Sequence, residues 1–301
     1  MTAAHGLGLP GATAPPRPPG TRTPGARVPA PARPGDGPST AAPDPGESAP
    51  AWSTDDSYSA ALRTGRGPLF LRRADGWLLP LEVERWCARA DETDLGVLAR
   101  CEGAVLDVGC GPGRLVAALA AQGRRVLGID VSETAVARTV RRGGTALRRS
   151  VFEPLPDEGG WGTALLLDGN IGIGGDPAAL LDRLARLLAP GGLLVVETAP
   201  VDVDERARVQ VVDATAAAGP AARPFPWARL GTPALLRHAA RAGWRAEDQW
   251  TAGARRFVAL RDRRSRSTRS ASSSAEPPNS TAVISSQRDR KPSAESPAAD
   301  R

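Results

Sequence analysis

Lysine is almost missing from this chain: Lys291 is the single one among 39 basic residues, and the rest are arginine. Positive charge carried this way, in a sequence rich in Arg, Ala, Gly and Pro, reflects a compositional bias. No basic stripe with interleaved aromatics accompanies the net charge of +6, so a nucleic-acid partner is not expected. Three cysteines, Cys87, Cys101 and Cys110, lack metal-ligand spacing and are too few for a disulfide framework. They point to a reducing, cytoplasmic setting and away from a zinc site. Apolar runs are no longer than strands, which excludes a membrane-spanning helix, and the N-terminus has no apolar core of a signal peptide. Only two histidines are present, so candidates for a general base are scarce. His5 falls in an N-terminal tail. His238 is expected to face solvent between Arg237 and Arg241, away from the stripe of Leu235, Leu236 and Ala239.

What is present is unevenly distributed. Residues 1–52 are Pro, Ala, Gly, Arg and Thr with hardly a large apolar side chain, and residues 263–301 are rich in Ser and Arg. Neither stretch can bury enough surface to offset its ordering entropy, so both are predicted to be disordered tails around a domain at 53–262. Within that domain, 53–102 reads as a helical cap, with a helix over Pro80–Arg89 burying Leu81, Val83 and Trp86.

From Val105 the chain alternates between apolar strands and helices. Val105-Leu-Asp-Val-Gly-Cys-Gly-Pro-Gly-Arg-Leu115 reads as a buried strand running through three glycines into a helix. Glycine lets the backbone adopt positive φ and approach a ligand closely, and the free N–H groups of the helix start favour an anion. A second strand, Val126–Asp130, is apolar up to its last residue, as suits a parallel strand covered on both faces. Ser132 caps the next helix, in which Val136 and Val140 share a face. A short third strand at Ala146–Arg149 and a firm fourth at Gly162–Asp168 follow. Asp176-Pro177 starts a helix with a leucine stripe at 180, 181, 184, 187 and 188, ended by Pro190-Gly-Gly192 before a fifth strand, Leu193–Glu197. Residues 199–231 break the rhythm and read as an insertion, with extended pieces at Arg206–Val212 and Pro224–Ala228 and a turn at Ala216–Gly219. A last helix from Thr232 and an antiparallel pair, Trp244–Trp250 and Arg256–Leu260, close the domain.

The Asp107-x-Gly109-x-Gly111-x-Gly113 segment resembles motif I of the class I S-adenosylmethionine (SAM)-dependent methyltransferases, and the helix, Pro-Gly-Gly, apolar strand sequence is similar to the same family. The dinucleotide fingerprint G-x-G-x-x-G is the nearest competitor, but here the third glycine comes one residue early. A structural turn with no ligand is the other alternative.

The resemblance implies an α/β, Rossmann-like three-layer sandwich. Its seven-stranded sheet would be mostly parallel with the last strand antiparallel. It also implies a SAM pocket formed by Asp107, Gly109, Cys110, Gly111 and Gly113. Asp130 and Val131 would stand at the ribose, and Val151 and Phe152 at the adenine, with Glu153 as a polar partner. Asp168, Gly169 and Asn170 would lie against the methionine part. A carboxylate at Asp130 suits two ribose hydroxyls, since it can accept two charge-assisted hydrogen bonds. Arg66 or Arg72 of the cap could meet a substrate or cofactor carboxylate. Asp168 and Glu197 are the best placed candidates for a catalytic base, although methyl transfer from a sulfonium depends mainly on alignment. The acceptor implied is a small molecule. Two other classes remain: a SAM-binding scaffold without catalysis and a nicotinamide-dependent oxidoreductase.

Overall fold

The computed structural model describes residues 57–213 and 223–263. The expected tails lie outside these residues except for Arg263, as do His5 and the expected turn at Ala216–Gly219. Among the described residues eleven strands form two sheets, accompanied by seven α-helices.

The larger sheet contains β3 (Val105–Val108), β4 (Val126–Asp130), β5 (Ala146–Arg148), β6 (Trp161–Leu166), β7 (Leu188–Thr198), β10 (Trp244–Ala252) and β11 (Arg255–Asp262). Its order is β10-β11-β7-β6-β3-β4-β5. Pairings from β5 through β7 are parallel, whereas β11 runs antiparallel to both β7 and β10. Alternate residues of each central strand enter different cores. Leu106, Val108, Leu127, Ile129, Leu166 and Leu194 pack with α6 (Pro177–Leu187) and α7 (Thr232–Arg241). Val105, Val126, Leu165, Val195 and Phe257 pack with α3 (Glu92–Leu98) and α4 (Arg114–Ala121) on the other face. That makes the three-layer α/β sandwich, and it explains why these strands are apolar throughout. The helix starts follow their sequences. Asp176 accepts from the N–H groups of Ala178 and Ala179 with Pro177 in the first turn, and Ser132 caps α5 (Glu133–Arg141).

The smaller sheet departs from the expected helical cap. Between α1 (Ser57–Thr64) and α2 (Val83–Cys87), the chain forms a hairpin of β1 (Leu69–Arg73) and β2 (Leu78–Leu81). The helix expected from Pro80 therefore starts only at Val83. Pro80 sits instead in an edge strand, where its missing N–H costs no ladder bond. β1 pairs on its other side with β8 (Asp204–Asp213), and β8 pairs with β9 (Phe225–Leu230), all antiparallel. Cap and insertion, remote in sequence, thus form one four-stranded sheet, β2-β1-β8-β9. It packs Leu69, Leu71, Val209 and Val211 against Leu62 of α1 and Ala135 of α5.

Two further expectations are corrected. On α5 the inner face is Ala135 and Thr139, and Val140 is exposed. The Pro190-Gly-Gly192 segment lies inside β7, which pairs with Trp161 through Leu188 and resumes at Leu193, so it forms an irregularity within a strand. Among the described residues no helix is long and apolar enough to cross a membrane.

Candidate functional site

A cavity of about 490 Å³ lies between the carboxyl ends of β3, β4, β6 and β7 and the smaller sheet. Its size falls in the range of roughly 300–1,000 Å³ usual for small-molecule sites, and its position is where open α/β sheets bind ligands. Gly109, Cys110, Gly111, Asp130, Val131, Val151, Phe152, Asp168, Gly169, Asn170 and Glu197 all line it, so the structure brings together most of the residues singled out from the sequence. Arg85, Arg114, Glu82, Trp86, Phe225 and Trp227 also line it, none of them expected at the site from the sequence, where Trp86 is expected only as a core residue of the cap.

The glycine loop is held from two sides. Gly109, Gly111 and Gly113 all have positive φ. Asn170 donates through Nδ2 to the carbonyls of Val108 (2.9 Å) and Gly109 (3.0 Å), and a Cβ on Gly109 would meet that amide at 2.7 Å. Asp130 accepts from the N–H of Gly111 at Oδ2 (2.9 Å) and from that of Ser132 at Oδ1 (2.8 Å). Burial pushes the Asp130 carboxyl up to about 6, against the lowering effect of these N–H groups. Gly111 and Gly169 leave room for a ligand: a Cβ on the first would have only the Tyr58 hydroxyl, at 3.6 Å, and on the second nothing within 4 Å.

Two motif residues do not line the cavity. Gly113 is required by packing, because a Cβ there would lie 2.4 Å from Thr139 Oγ1. Asp107 is buried behind the loop, and its Oδ2 has no hydrogen-bond partner among the described residues. Burial pushes its carboxyl up to about 7, with Arg114 opposing and Asp168, Asp130 and Asp94 adding to the rise. From about pH 4 to 7 the folded chain keeps a proton that the unfolded chain releases, so Asp107 subtracts stability as pH rises through that window, and the full penalty stands above it. Asp107→Asn should therefore raise the melting temperature at pH 8 by about 4–8 °C, taking ~2 kcal/mol for the relieved charge, and leave it nearly unchanged at pH 4. Thermal melts at the two pH values check this. A lower melting temperature at pH 8 would show that the charge is stabilised.

Asp168 and Glu197, the expected bases, belong to a buried ionic network. Arg114 donates from Nη1 to Asp168 Oδ2 (2.7 Å) and from Nε to Asp94 Oδ2 (2.7 Å). Arg255 grips both oxygens of Glu197 at 2.8 Å and reaches Asp94 Oδ1 at 2.8 Å. Arg85 of α2 stands 2.8 Å from Asp168 Oδ1, and the Asp168 N–H donates to Glu197 Oε2 (2.8 Å). Burial alone would raise the Asp168 carboxyl, but Arg114 and Arg85 hold it below the ordinary carboxylate value. Asp168 is also one of two non-glycine residues with positive φ (57°) among those described, a conformation these pairings help to maintain. Both carboxylates thus serve to shape the end of β6, and Asp168, held low by its arginines, is a poor proton acceptor.

Other candidates are relocated. His238 is buried, with Nε2 3.1 Å from Asp204 Oδ1, because β8 of the smaller sheet covers the side of α7 expected to face solvent. It does not line the cavity. Glu153 accepts the Ser150 N–H at 2.6 Å and is likewise outside the lining. Arg72 pairs with Gln210, and neither it nor Arg66 reaches the cavity. The glycine-rich loop after Asn170 is explained by β9. A Cβ on Gly172 would come 2.3 Å from the Ala228 carbonyl, and one on Gly175 2.6 Å from Pro226. Among the described residues no group of three His, Cys, Asp or Glu side chains could hold a metal ion.

Residues 105–192 match the family model described as a methyltransferase domain. Among solved structures, a SAM-dependent methyltransferase from Bacteroides fragilis in complex with S-adenosyl-L-homocysteine aligns with a TM-score of 0.54 at 21% identity, over 67% of this chain and 91% of that one. Burkholderia thailandensis 1,6-didemethyltoxoflavin-N1-methyltransferase gives 0.43 at 19% identity, over 56% and 75% of the two chains. The sugar N-methyltransferase KedS8 from Streptoalloteichus sp. gives 0.44 at 19%, over 59% and 88%. No curated protein matches the sequence. The segment from β3 into β7 thus matches a methyltransferase-domain model, and the α/β fold around it is similar to that of the Bacteroides fragilis SAM-dependent methyltransferase.

Proposed function

We propose that this protein is a methyltransferase that uses SAM as methyl donor and a small molecule as acceptor. The observation that carries this reading is the pairing of the glycine loop with Asp130 on one wall of the cavity. The residues present suit SAM. Asp130 offers a carboxylate for two ribose hydroxyls. Val131, Val151 and Phe152 give an apolar border for an adenine, and the backbone at Gly111 and Gly169 is open to a ligand. The sulfonium of SAM supplies an already activated methyl group.

What remains for the protein is positioning. The loop and Asp130 fix one end of the site, Asn170 locks the loop, and the smaller sheet closes the opposite side and excludes water. No strong base is required for an acceptor whose nucleophilic atom has an available lone pair, in keeping with the engagement of Asp168 and Glu197 by arginines. Enclosure by β1, β2 and β9 supports a small acceptor over a macromolecular one.

Titration calorimetry of the full chain with SAM, S-adenosylhomocysteine and NADH tests the reading. Binding of the first two without NADH is the expected result; NADH binding without SAM binding would refute it. Methyl transfer to a metabolite panel from isotopically labelled SAM distinguishes an enzyme from a SAM-binding scaffold.

A further inference from the structure

The acceptor half of the cavity has a charge pattern from which its ligand class can be read, given the methyltransferase reading above. Four carboxylates line the cavity: Glu82, Asp130, Asp168 and Glu197. Asp168 and Glu197 are matched by Arg114, Arg85 and Arg255, and Asp130 is held by two backbone N–H groups beside the glycine loop. The other cavity arginines are also matched, Arg229 by Glu205 at 3.2 Å and Arg149 by Glu153 at 3.7 Å. Glu82 differs. It is exposed as well as lining the cavity, and its side chain has no hydrogen bond or ion pair with any described residue and makes no cap bond at the start of α2.

Its position is set by the junction of β2 with α2, where it is the residue before the helix. Glu82 lines the cavity together with Arg85 and Trp86 of α2. Since Arg85 reaches Asp168, α2 stands over the end of β6, beside the loop that Asn170 locks. Around it the smaller sheet contributes Leu71, Leu79, Leu81, Phe225 and Trp227, an apolar and aromatic wall.

We propose that the acceptor is an amine carried on a compact apolar or aromatic body, and that Glu82 is the residue that selects it. The walls bury the ring, and the unpartnered Glu82 carboxylate attracts a cationic or N–H-donating group while repelling a carboxylate. In the reaction the amine donates a hydrogen bond to the Glu82 carboxylate and directs its lone pair at the sulfonium methyl. The N–CH3 bond forms as the C–S bond breaks, its electron pair going to sulfur to give the thioether S-adenosylhomocysteine. The positive charge passes to nitrogen, which then releases its proton to Glu82 or to solvent.

The test uses the full chain saturated with S-adenosylhomocysteine and three probes of equal shape: 1-naphthylmethylamine, 1-naphthalenemethanol and 1-naphthoate. Calorimetry should give the amine the tightest binding and naphthoate the weakest. Glu82→Gln should weaken the amine about tenfold, the loss of one charge-assisted bond, while the alcohol and S-adenosylhomocysteine keep their affinities. Glu82→Lys should reverse the order of amine and carboxylate. A naphthoate affinity equal to that of the amine, an unchanged amine affinity in Glu82→Gln, or binding of none of the three probes would overturn the proposal while leaving the SAM reading standing. Failure of S-adenosylhomocysteine itself to bind would overturn both.

Discussion

Asp130→Ala is expected to raise the SAM dissociation constant by two orders of magnitude or more. A carboxylate that accepts two ribose hydroxyls loses two charge-assisted hydrogen bonds, each worth ~1.5–3 kcal/mol, and 1.4 kcal/mol is tenfold. The same substitution removes the acceptor for the Gly111 and Ser132 N–H groups, so part of the loss comes from a looser loop. Asp130→Asn separates the two effects. Asparagine can still accept from one N–H and keeps the loop in place, but it has no charge for the hydroxyls. Its SAM affinity should fall at least tenfold with a melting temperature close to that of the parent. The pH dependence follows from the same group. Burial pushes the Asp130 carboxyl up to about 6, so the ionised acceptor is lost as pH falls through that value. Parent affinity should therefore decline toward tenfold per pH unit below about 6, and the Asn variant should show no such slope. Calorimetry from pH 5 to 8 checks both, and an affinity for Asp130→Ala equal to the parent's would remove Asp130 from the site.

The contrast between Asp130 and Glu82 shows which parts of the site a sequence can display. Asp130 ends the apolar strand that follows the glycine-rich turn and its helix, so its place at the carboxyl edge of the sheet follows from local pattern. The same holds for β3, β4, β6 and β7, whose burial on both faces writes a continuous apolar run, and for helix starts such as Asp176-Pro177. Glu82 acquires its place from the smaller sheet, and that sheet leaves little local trace. Leu69 of β1 pairs with Asp213 of β8, segments far apart in the chain, so the hairpin reads as part of a helical cap until its partner is known. The burial of His238 has a related cause. Helical periodicity locates the stripe facing the main core, but Asp204 on β8 covers a second face of α7. The glycines of 171–175 carry two causes at once: Gly174 and Gly175 have positive φ, while Gly172 is fixed by the approach of β9. Arg114 was visible in principle, as an arginine directly after Gly113 on a helix otherwise apolar through Leu115, Val116 and Leu119. Its two carboxylate partners come from α3 and the end of β6, and nothing local announces them.

That arginine is also the residue whose removal should cost the fold most. Arg114 is almost fully buried and serves Asp94 and Asp168 together, while Asp94 is fully buried and shared with Arg255. Burial would lower the basicity of the guanidinium, yet the two carboxylates outweigh it and hold it above the ordinary arginine value. For Asp94 burial works upward, and the two arginines outweigh it downward. Arg114→Met keeps the packing volume of the stem and leaves both carboxylates short of a partner in a dry interior. Breaking a buried pair in this way costs about 3–5 kcal/mol, a large share of the stability of a domain this size. Arg114→Lys should recover little of it, because one ammonium cannot present the planar fork that meets two carboxylates at once. The loss should also reach the ligand. Asp168 loses one of the arginines that help to hold it at positive φ, and the Gly169-Asn170 segment next to it anchors the glycine loop, so SAM affinity should fall as well. Urea denaturation of the parent and both variants, with SAM calorimetry on whatever folds, measures the two effects separately. A stability change below about 1 kcal/mol in Arg114→Met would mean that the two carboxylates become neutral by taking up protons. The carboxyl that Arg114 and Arg85 now hold low at Asp168 would then titrate well above the ordinary carboxylate range, and stability in the variant would fall as pH rises through that range.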